Sequence, residues 1–203
     1  SGVATEADIA AVAARSLRAG ADNPNATRAD ADADADALLA EPHYCAPLRR
    51  HDVSPKADGA AGVLLARGAR ARQLCDRPVW IRDIDHRIES HHAGLRDLTE
   101  APSVRQAADR VALADGPVDV AELHVTHSHE ELILRSALGL GDDVAVNPSG
   151  GPLCGDPVMA TGLIRVIEVA DRIGAGDAQR GVAHASSGAA LQQNLLCVLE
   201  GGD

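Results

Sequence analysis

The sequence has 203 residues, of which 45% are hydrophobic and only 1% aromatic, and its formal net charge is −11. This composition is typical of a globular chain with an aliphatic core, and the length suits one large domain or one and a half small ones. The negative charge argues against binding to nucleic acids or anionic lipids. No stretch reaches the ~18 apolar residues of a membrane span, and scattered cysteines without a signal peptide predict a cytoplasmic protein with reduced thiols.

The first half of the chain predicts one regular helix and a long irregular connection. Apolar residues recur at helical spacing over 5–20, which predicts a helix there. The alternating Ala-Asp run at 29–37 predicts a solvated loop or a short helical turn, because both residues are poor strand formers. Three prolines predict an irregular segment over 42–58. The apolar run at 60–66 predicts a buried strand, followed by a basic helix or turn at 68–74.

The second half alternates between strands and helices. Pro102 predicts a helix start, Ser128 with Glu131 predicts a capping box, and Asp156 before Pro157 predicts a third helix start. In chain order we predict a strand at 79–81, a polar loop at 82–97, a helix at 102–114, a strand at 118–124, helices at 128–138 and 157–173, and strands at 181–186 and 191–199. This order predicts a layered α/β domain with a mixed sheet.

Short motifs occur along nearly the whole chain. They include Asp58-Gly59-Ala60-Ala61, the run Asp119 to His124, Asn147-Pro148-Ser149-Gly150-Gly151 and His184-Ala185-Ser186-Ser187-Gly188. In order and spacing they resemble the thiolase superfamily, most of all the acetyl-CoA acetyltransferase-like sterol-carrier-protein type and the actinobacterial lipid-transfer-protein group. The resemblance implies a thiolase-like layered α-β-α fold. Residues 1–75 would be the end of the N-terminal domain with its loop region, and 76–203 a complete C-terminal domain.

The resemblance also implies that part of the enzyme lies outside this chain. A thiolase subunit is about twice as long, has two similar halves and carries its nucleophilic cysteine in the N-terminal half. An apolar strand at 60–66 would lack neighbours and form an exposed edge. We therefore expect an oligomer in which the N-terminal half comes from a partner, a second thiolase-like subunit or a longer precursor. The lipid-transfer-protein group further implies a zinc-ribbon/OB-fold accessory protein.

Three catalytic elements of the family map onto the C-terminal part. The first is a His or Asn after a strand and matches His124, whose neutral imidazole can donate a hydrogen bond to an enolate oxygen. His127 replaces the aromatic residue that usually follows. The second, a Gly-His-Pro turn, has Asp156 in place of the histidine, so Asp156 is either catalytic or a helix cap. The third supplies an acid/base cysteine, and Ala190 stands in its place.

The remaining site candidates are a set of backbone groups and one thiol. The N–H groups around Gly150, Gly151 and Gly188 are expected to help bind a developing oxyanion. Cys154 is either close to the site or a small packed hydrophobe. The histidines lack a paired cysteine or a His-Glu-x-x-His pattern, so we predict no metal and no bound cofactor, with a coenzyme A thioester as substrate.

Two functions are compatible with these residues. The first is an acyl-CoA enzyme of lipid metabolism that makes or breaks a carbon–carbon bond next to a thioester, as an acyltransferase or as a retro-aldolase of steroid degradation. Aldolases of this kind use tyrosines, and the only tyrosine, Tyr44, is not at a matching place. The second is a degenerate, non-catalytic subunit that scaffolds an acyl-CoA complex, which the changes at Asp156 and Ala190 favour.

Overall fold

The computed structural model describes residues 4–202. The described helices are α1 (Glu6–Gly20), α2 (Ala35–Ala40), α3 (Ala69–Leu74), α4 (Pro102–Arg110), α5 (Ser128–Leu138) and α6 (Thr161–Ala175). The described strands are β1 (His43–Cys45), β2 (Leu48–Arg49), β3 (Trp80–Ile88), β4 (Val120–Glu122), β5 (Ala145–Val146), β6 (Arg180–Ser187) and β7 (Gln193–Glu200). Over the same residues, no helix combines the length and the apolar character needed to cross a bilayer.

Five strands form a mixed sheet in the spatial order β3-β7-β6-β4-β5. Strand β4 pairs in parallel with β5 and β6, whereas β7 runs antiparallel to both β6 and β3. Helices α1, α4 and α5 cover one face of the sheet through a core that includes Leu123, Leu134 and Val198. Helix α6 covers the other face through Val169 and Ile173. The predicted layered α/β architecture with a mixed sheet is confirmed.

Helix α1 begins where the sequence predicts because its first turn is capped in both directions. The N–H of Asp8 donates to the side chain of Thr5 at 3.2 Å, and the N–H of Thr5 donates to the Asp8 carboxylate at 2.7 Å. This reciprocal arrangement satisfies two backbone donors that a helix start leaves free. The helix then buries Val12 and Leu17 against the rest of the chain.

Helix α5 begins at its predicted residue but has a different cap, and helix α6 begins later than predicted. The cap of α5 is His127 rather than Ser128, because Glu130 accepts the N–H of His127 at 3.0 Å. Helix α6 begins at Thr161 instead of at 157. Val158 has a φ of 41°, and this left-handed conformation cannot be part of an α-helix. The turn at 157–160 therefore separates Asp156 from the helix that it was predicted to cap.

Two segments that the sequence presents as irregular contain short regular elements. Asp34 accepts the N–H of Ala37 at 3.0 Å, so the Ala-Asp run ends in helix α2. Strands β1 and β2 pair antiparallel around a cis Ala46-Pro47 bond. These elements are too short for periodicity to reveal them.

The strand predicted at 60–66 is wrong. This segment pairs with no strand within the described residues, and Leu64 and Leu65 are 84% and 72% exposed. The apolar run has the pattern of a buried strand, but residues 4–202 provide no neighbouring strand to bury it. Its side chains therefore lie at the surface.

Strand β3 is much longer than predicted, since residues up to Ile88 pair with β7 where the sequence predicts a loop. The strand lies at the edge of the sheet and alternates charged and apolar residues. Asp83, Asp85 and Arg87 lie on the α4 side, and Arg87 donates to Asp85 at 2.5 Å. Charged residues of this kind protect an edge strand from unwanted pairing. They also make the segment look like a polar loop in the sequence, so the strand was not predicted.

An apolar surface remains open on the α6 side of the sheet. We call it the uncovered face; it consists of Ile81, Ile84 and Ile88 of β3. The isoleucines are 43%, 49% and 62% exposed. On α6 itself, Leu163 and Ile167 are partly buried and lie across the helix from the buried Arg165 and Val169. A helix that is apolar on both sides normally lies between two layers.

Candidate active site

His124 follows β4 and lines a cleft of about 390 Å³. The backbone N–H of Ser186 donates to Nδ1 of this ring at 3.2 Å. Burial lowers the pKa of His124, so the ring is neutral near pH 7. Because Nδ1 accepts, the proton of the neutral ring resides on Nε2. Within residues 4–202 this nitrogen has no hydrogen-bond partner, so Nε2–H is the donor that His124 has available for a ligand in the cleft.

A second histidine fixes the position of His124. His184 on β6 is fully buried, and its Nδ1 accepts the backbone N–H of His124 at 3.4 Å. Its Nε2 then donates to the side-chain oxygen of Asn194 at 3.0 Å, and Asn194 donates to the hydroxyl of Ser103 at 2.8 Å. Burial lowers the pKa of His184 to about 4. This neutral chain of hydrogen bonds ties the end of β4 to β6, β7 and α4.

Asp156 lines the same cleft and is 1% exposed. Its carboxylate accepts hydrogen bonds from Lys56 at 2.5 Å, Thr161 at 2.6 Å, Ser54 at 3.0 Å and the N–H of Val158 at 3.1 Å. Burial acts to raise the pKa of Asp156, but the hydrogen bonds from Lys56, Thr161 and Ser54 outweigh it and lower that pKa. Asp156 is therefore an anion whose acceptor positions are used within the chain.

Backbone hydrogen bonds hold the segment that carries Lys56. The N–H of Asp156 donates to Pro55 at 3.0 Å, and the N–H of Ala57 donates back to Asp156 at 3.1 Å. The N–H of Ser54 donates to the carbonyl of Thr126 at 2.9 Å. Lys56 was not among the residues that the sequence analysis selected. A signal was present, because it is the only lysine in the sequence.

Glu130 also lines the cleft, but its carboxylate caps helix α5. It accepts the N–H groups of Thr126 and His127 at 2.8 Å and 3.0 Å. Burial acts to raise the pKa of Glu130, yet the bonds from His127 and Thr126 lower it. The bond to Glu130 raises the pKa of His127. The structure thus places His127 in the cap of α5 and outside the cleft lining.

The predicted backbone donors separate into two groups. Gly188 lines the cleft at the end of β6. The N–H of Gly150 donates to the carbonyl of Asn147 at 2.9 Å, and the N–H of Gly151 donates to the hydroxyl of Ser149 at 3.1 Å. Both of these donors are used inside the turn, and neither glycine lines the cleft. We therefore leave Gly150 and Gly151 out of the proposed oxyanion site.

A buried ion pair fixes that turn against the sheet. Glu122 on β4 is fully buried and accepts the N–H and the hydroxyl of Ser149 at 3.0 Å and 2.8 Å. It also pairs with the guanidinium of Arg165 on α6, which is 3% exposed and donates to Ser149 at 2.9 Å. Neither charge was among the predicted site residues, although a carboxylate at the end of an apolar strand is itself unusual.

The remaining candidates lie away from His124. Cys154 donates to the carbonyl of Ser16 at 3.1 Å, and burial raises the pKa of this thiol to about 11. It lines a second groove of about 380 Å³ beside α6. The carbonyl of Ala190 accepts from Arg96 at 2.9 Å, and Tyr44 is 67% exposed on β1. Among the described residues that line the cleft there is no cysteine and no tyrosine.

The histidines do not assemble a metal centre within residues 4–202, where no group of three or more His, Cys, Asp or Glu side chains is placed to hold an ion. The rings of His127 and His129 lie 5.7 Å apart, and those of His91 and His92 lie 4.0 Å apart. All four cysteines are free thiols, two exposed and two buried.

Comparison with known proteins gives partial matches to thiolases, although no family model matches the chain. The acetyl-CoA acetyltransferase of Methanothermobacter thermautotrophicus is 31% identical over 148 residues, which are 61% of this chain and 38% of that protein. The peroxisomal 3-ketoacyl-CoA thiolase of Saccharomyces cerevisiae is 30% identical over 119 residues, 58% of this chain and 28% of that protein. The beta-ketoadipyl-CoA thiolase of Pseudomonas knackmussii is 34% identical over 83 residues, 40% of this chain and 21% of that protein.

A solved structure shows the same fold. The crystal structure of the Bacillus anthracis acetyl-CoA acetyltransferase superposes with a TM-score of 0.76 at 17% identity. The superposition covers 98% of this chain and 56% of that one. The chain thus spans about half the length of the solved protein and a smaller share of the curated relatives.

Proposed function

We propose that this chain, which is similar to thiolases in sequence and in fold, is a member of the thiolase superfamily and forms the C-terminal part of an acyl-CoA enzyme. Its reaction would make or break a carbon–carbon bond next to a thioester. The observation that carries the proposal is the neutral His124, whose Nδ1 is occupied and whose Nε2–H remains available in the cleft. A fixed N–H donor stabilises the negative charge that develops on a thioester oxygen when an enolate forms.

The cleft residues suit enolate stabilisation better than nucleophilic attack. Thiolytic acyl transfer needs a thiolate, but no cysteine lines the cleft within the described residues, and burial raises the pKa of Cys154 to about 11. In our proposal the nucleophile for acyl transfer belongs to the N-terminal half. A retro-aldolase would need no such thiol. The exposed Tyr44 gives the aldolase variant no support.

We further propose that the uncovered face is where the N-terminal half packs. The face exposes three isoleucines of β3, α6 carries further apolar residues on its outer side, and the apolar run at 60–66 is exposed without a neighbour to bury it. The solved relative is nearly twice the length that this chain covers. A partner, a second thiolase-like subunit or a longer precursor would each supply these contacts.

The proposal is tested by combining this chain with a matching N-terminal thiolase half and measuring acyl-CoA condensation and cleavage. Removing one oxyanion donor lowers kcat by about 10²–10³-fold in well-studied enzymes, so His124→Ala should lower it by that amount. His91→Ala, an exposed histidine outside the cleft, is the matched control. Equal activity of the two variants would remove His124 from the mechanism, and failure of the halves to associate would remove the packing proposal.

The second candidate function is a non-catalytic scaffold. It is favoured by Asp156, whose carboxylate already accepts four hydrogen bonds within the chain, and by Ala190, which stands at the position of the acid/base cysteine. A double variant, Asp156→His with Ala190→Cys, that gains thiolysis would show that the cleft is otherwise intact. Capture of an active thiolase whose rate does not depend on His124 would support a purely scaffolding role. The zinc-ribbon/OB-fold accessory protein stays a prediction that co-purification can test.

A further inference from the structure

The ammonium of Lys56 has donors that the chain does not use. A lysine carries three N–H donors, and within residues 4–202 one contact is recorded, to Asp156 at 2.5 Å. The side chain is 64% exposed, whereas the carboxylate that holds it is 1% exposed. The head group is therefore anchored on one side and open to the cleft and solvent on the other.

The charges of the side chains that line the cleft indicate what the Lys56 ammonium could bind. The titratable side chains that line the cleft are Lys56, His124, Glu130 and Asp156. His124 is neutral, and Glu130 and Asp156 are anions by the hydrogen bonds described above. Lys56 is thus the only cationic side chain among the described lining residues. An enolate formed here without it would face two carboxylates and no compensating charge.

We propose that Lys56 is a second substrate-contacting donor, whose ammonium binds the thioester oxygen together with the Nε2–H of His124. Asp156 is then a positioning residue: it orients the ammonium and has no direct contact with substrate. This inference rests on the proposed function, because it requires a thioester in the cleft. It also gives Asp156 a reason to be held by four donors, since a fixed carboxylate fixes the lysine that it binds.

The direct test measures how strongly the bound carbonyl is polarised. Acetyl-CoA labelled with ¹³C at the carbonyl carbon is bound to the complex of this chain with an N-terminal half whose nucleophilic cysteine is replaced by alanine, so that the acetyl group stays on coenzyme A, and the carbonyl resonance is recorded. Two donors should move the resonance downfield from its position in water. Lys56→Met should reverse part of this shift, Lys56→Arg should retain most of it, and Arg70→Met, which removes an exposed charge on α3, should leave it unchanged.

Kinetics provide a second measurement on the same variants. Lys56→Met should lower kcat by about 10²–10³-fold with a smaller effect on KM, as expected for a donor that acts mainly in the transition state. Asp156→Asn should lower kcat less, because the ammonium stays in the cleft but is less well oriented. Thermal melting of each variant shows whether the fold is retained; Asp156 keeps three donors in Lys56→Met.

The single lysine allows an independent check of contact. Reductive ¹³C-methylation of this chain before assembly places one labelled lysine in it. In the complex whose N-terminal half lacks the nucleophilic cysteine, its resonance should move when acetyl-CoA is added and stay in place with free coenzyme A. Equal responses to both ligands, or an unchanged carbonyl shift in Lys56→Met, would overturn the role of Lys56 and leave that of His124 intact. An unshifted carbonyl in the wild-type complex would instead overturn the proposed function and Lys56 with it.

Discussion

Replacing Glu122 by leucine should strongly destabilise the chain. The change removes the acceptor of two hydrogen bonds from Ser149 and leaves the guanidinium of Arg165, which is 3% exposed, without a counter-ion. Breaking a buried ion pair by removing one partner costs about 3–5 kcal/mol. The double variant Glu122→Leu with Arg165→Met should cost less than this single one, because an apolar pair leaves no buried charge unpaired.

Urea unfolding followed by circular dichroism measures these differences. With an m-value of about 2–3 kcal/mol/M, a loss of about 3–5 kcal/mol lowers the midpoint by roughly 1–2.5 M. The four proteins of the Glu122/Arg165 cycle give a coupling energy that is independent of each single effect. Glu100 and Arg105, an exposed pair 3.9 Å apart, form the matched control cycle, for which about 0–1 kcal/mol is expected.

The coupling energy of Glu122 and Arg165 should be well above that of the surface pair. Additive effects of the two single variants would contradict this prediction. That result would mean that the ion pair contributes no more than its exposed counterpart and that the turn at 147–151 is held by other contacts.

Two further predictions concern the interior of the sheet. The contribution of His184 should lower the free energy of unfolding by about 2 kcal/mol between pH 7 and pH 5. The unfolded chain protonates this ring below about pH 6.5, whereas the buried ring stays neutral until about pH 4. Urea titrations of wild type and His184→Gln at both pH values isolate this loss, and an equal pH dependence of the two proteins would contradict it. Gly181→Ala should lower the melting temperature, because an added Cβ would lie 2.5 Å from a valine of α6. Gly174→Ala, with nothing within 4 Å, should raise it slightly.

Local signals in the sequence were enough to predict the layered fold. Thr5 and the helical spacing after it located α1, and short stretches rich in apolar residues located β6 and β7. Strand β3 was missed because its residues on the α4 side, Asp83, Asp85 and Arg87, are charged, and such charges are typical of an edge strand. The run at 60–66 shows the opposite case: its apolar residues predicted a buried strand that is absent. An apolar pattern does not show whether a neighbouring strand is present to bury it.

The candidate site was only partly visible in the sequence because its contacts are long-range. His124 was found through a motif, but the tautomer depends on Ser186, which lies 62 positions later in the chain. Lys56 and Asp156 are 100 positions apart. No local sequence pattern predicts that Lys56 binds the Asp156 carboxylate. Only the fold shows that the acceptor positions of Asp156 are filled by hydrogen bonds within the chain.

Helix α6 has one feature with a wider consequence. Its first residue, Thr161, donates to Asp156 in the cleft, while Leu163 and Ile167 lie on its outer side within the next two turns. A partner packed on that outer side, as proposed for the N-terminal half, would contact the same helix whose first residue binds the carboxylate that holds Lys56.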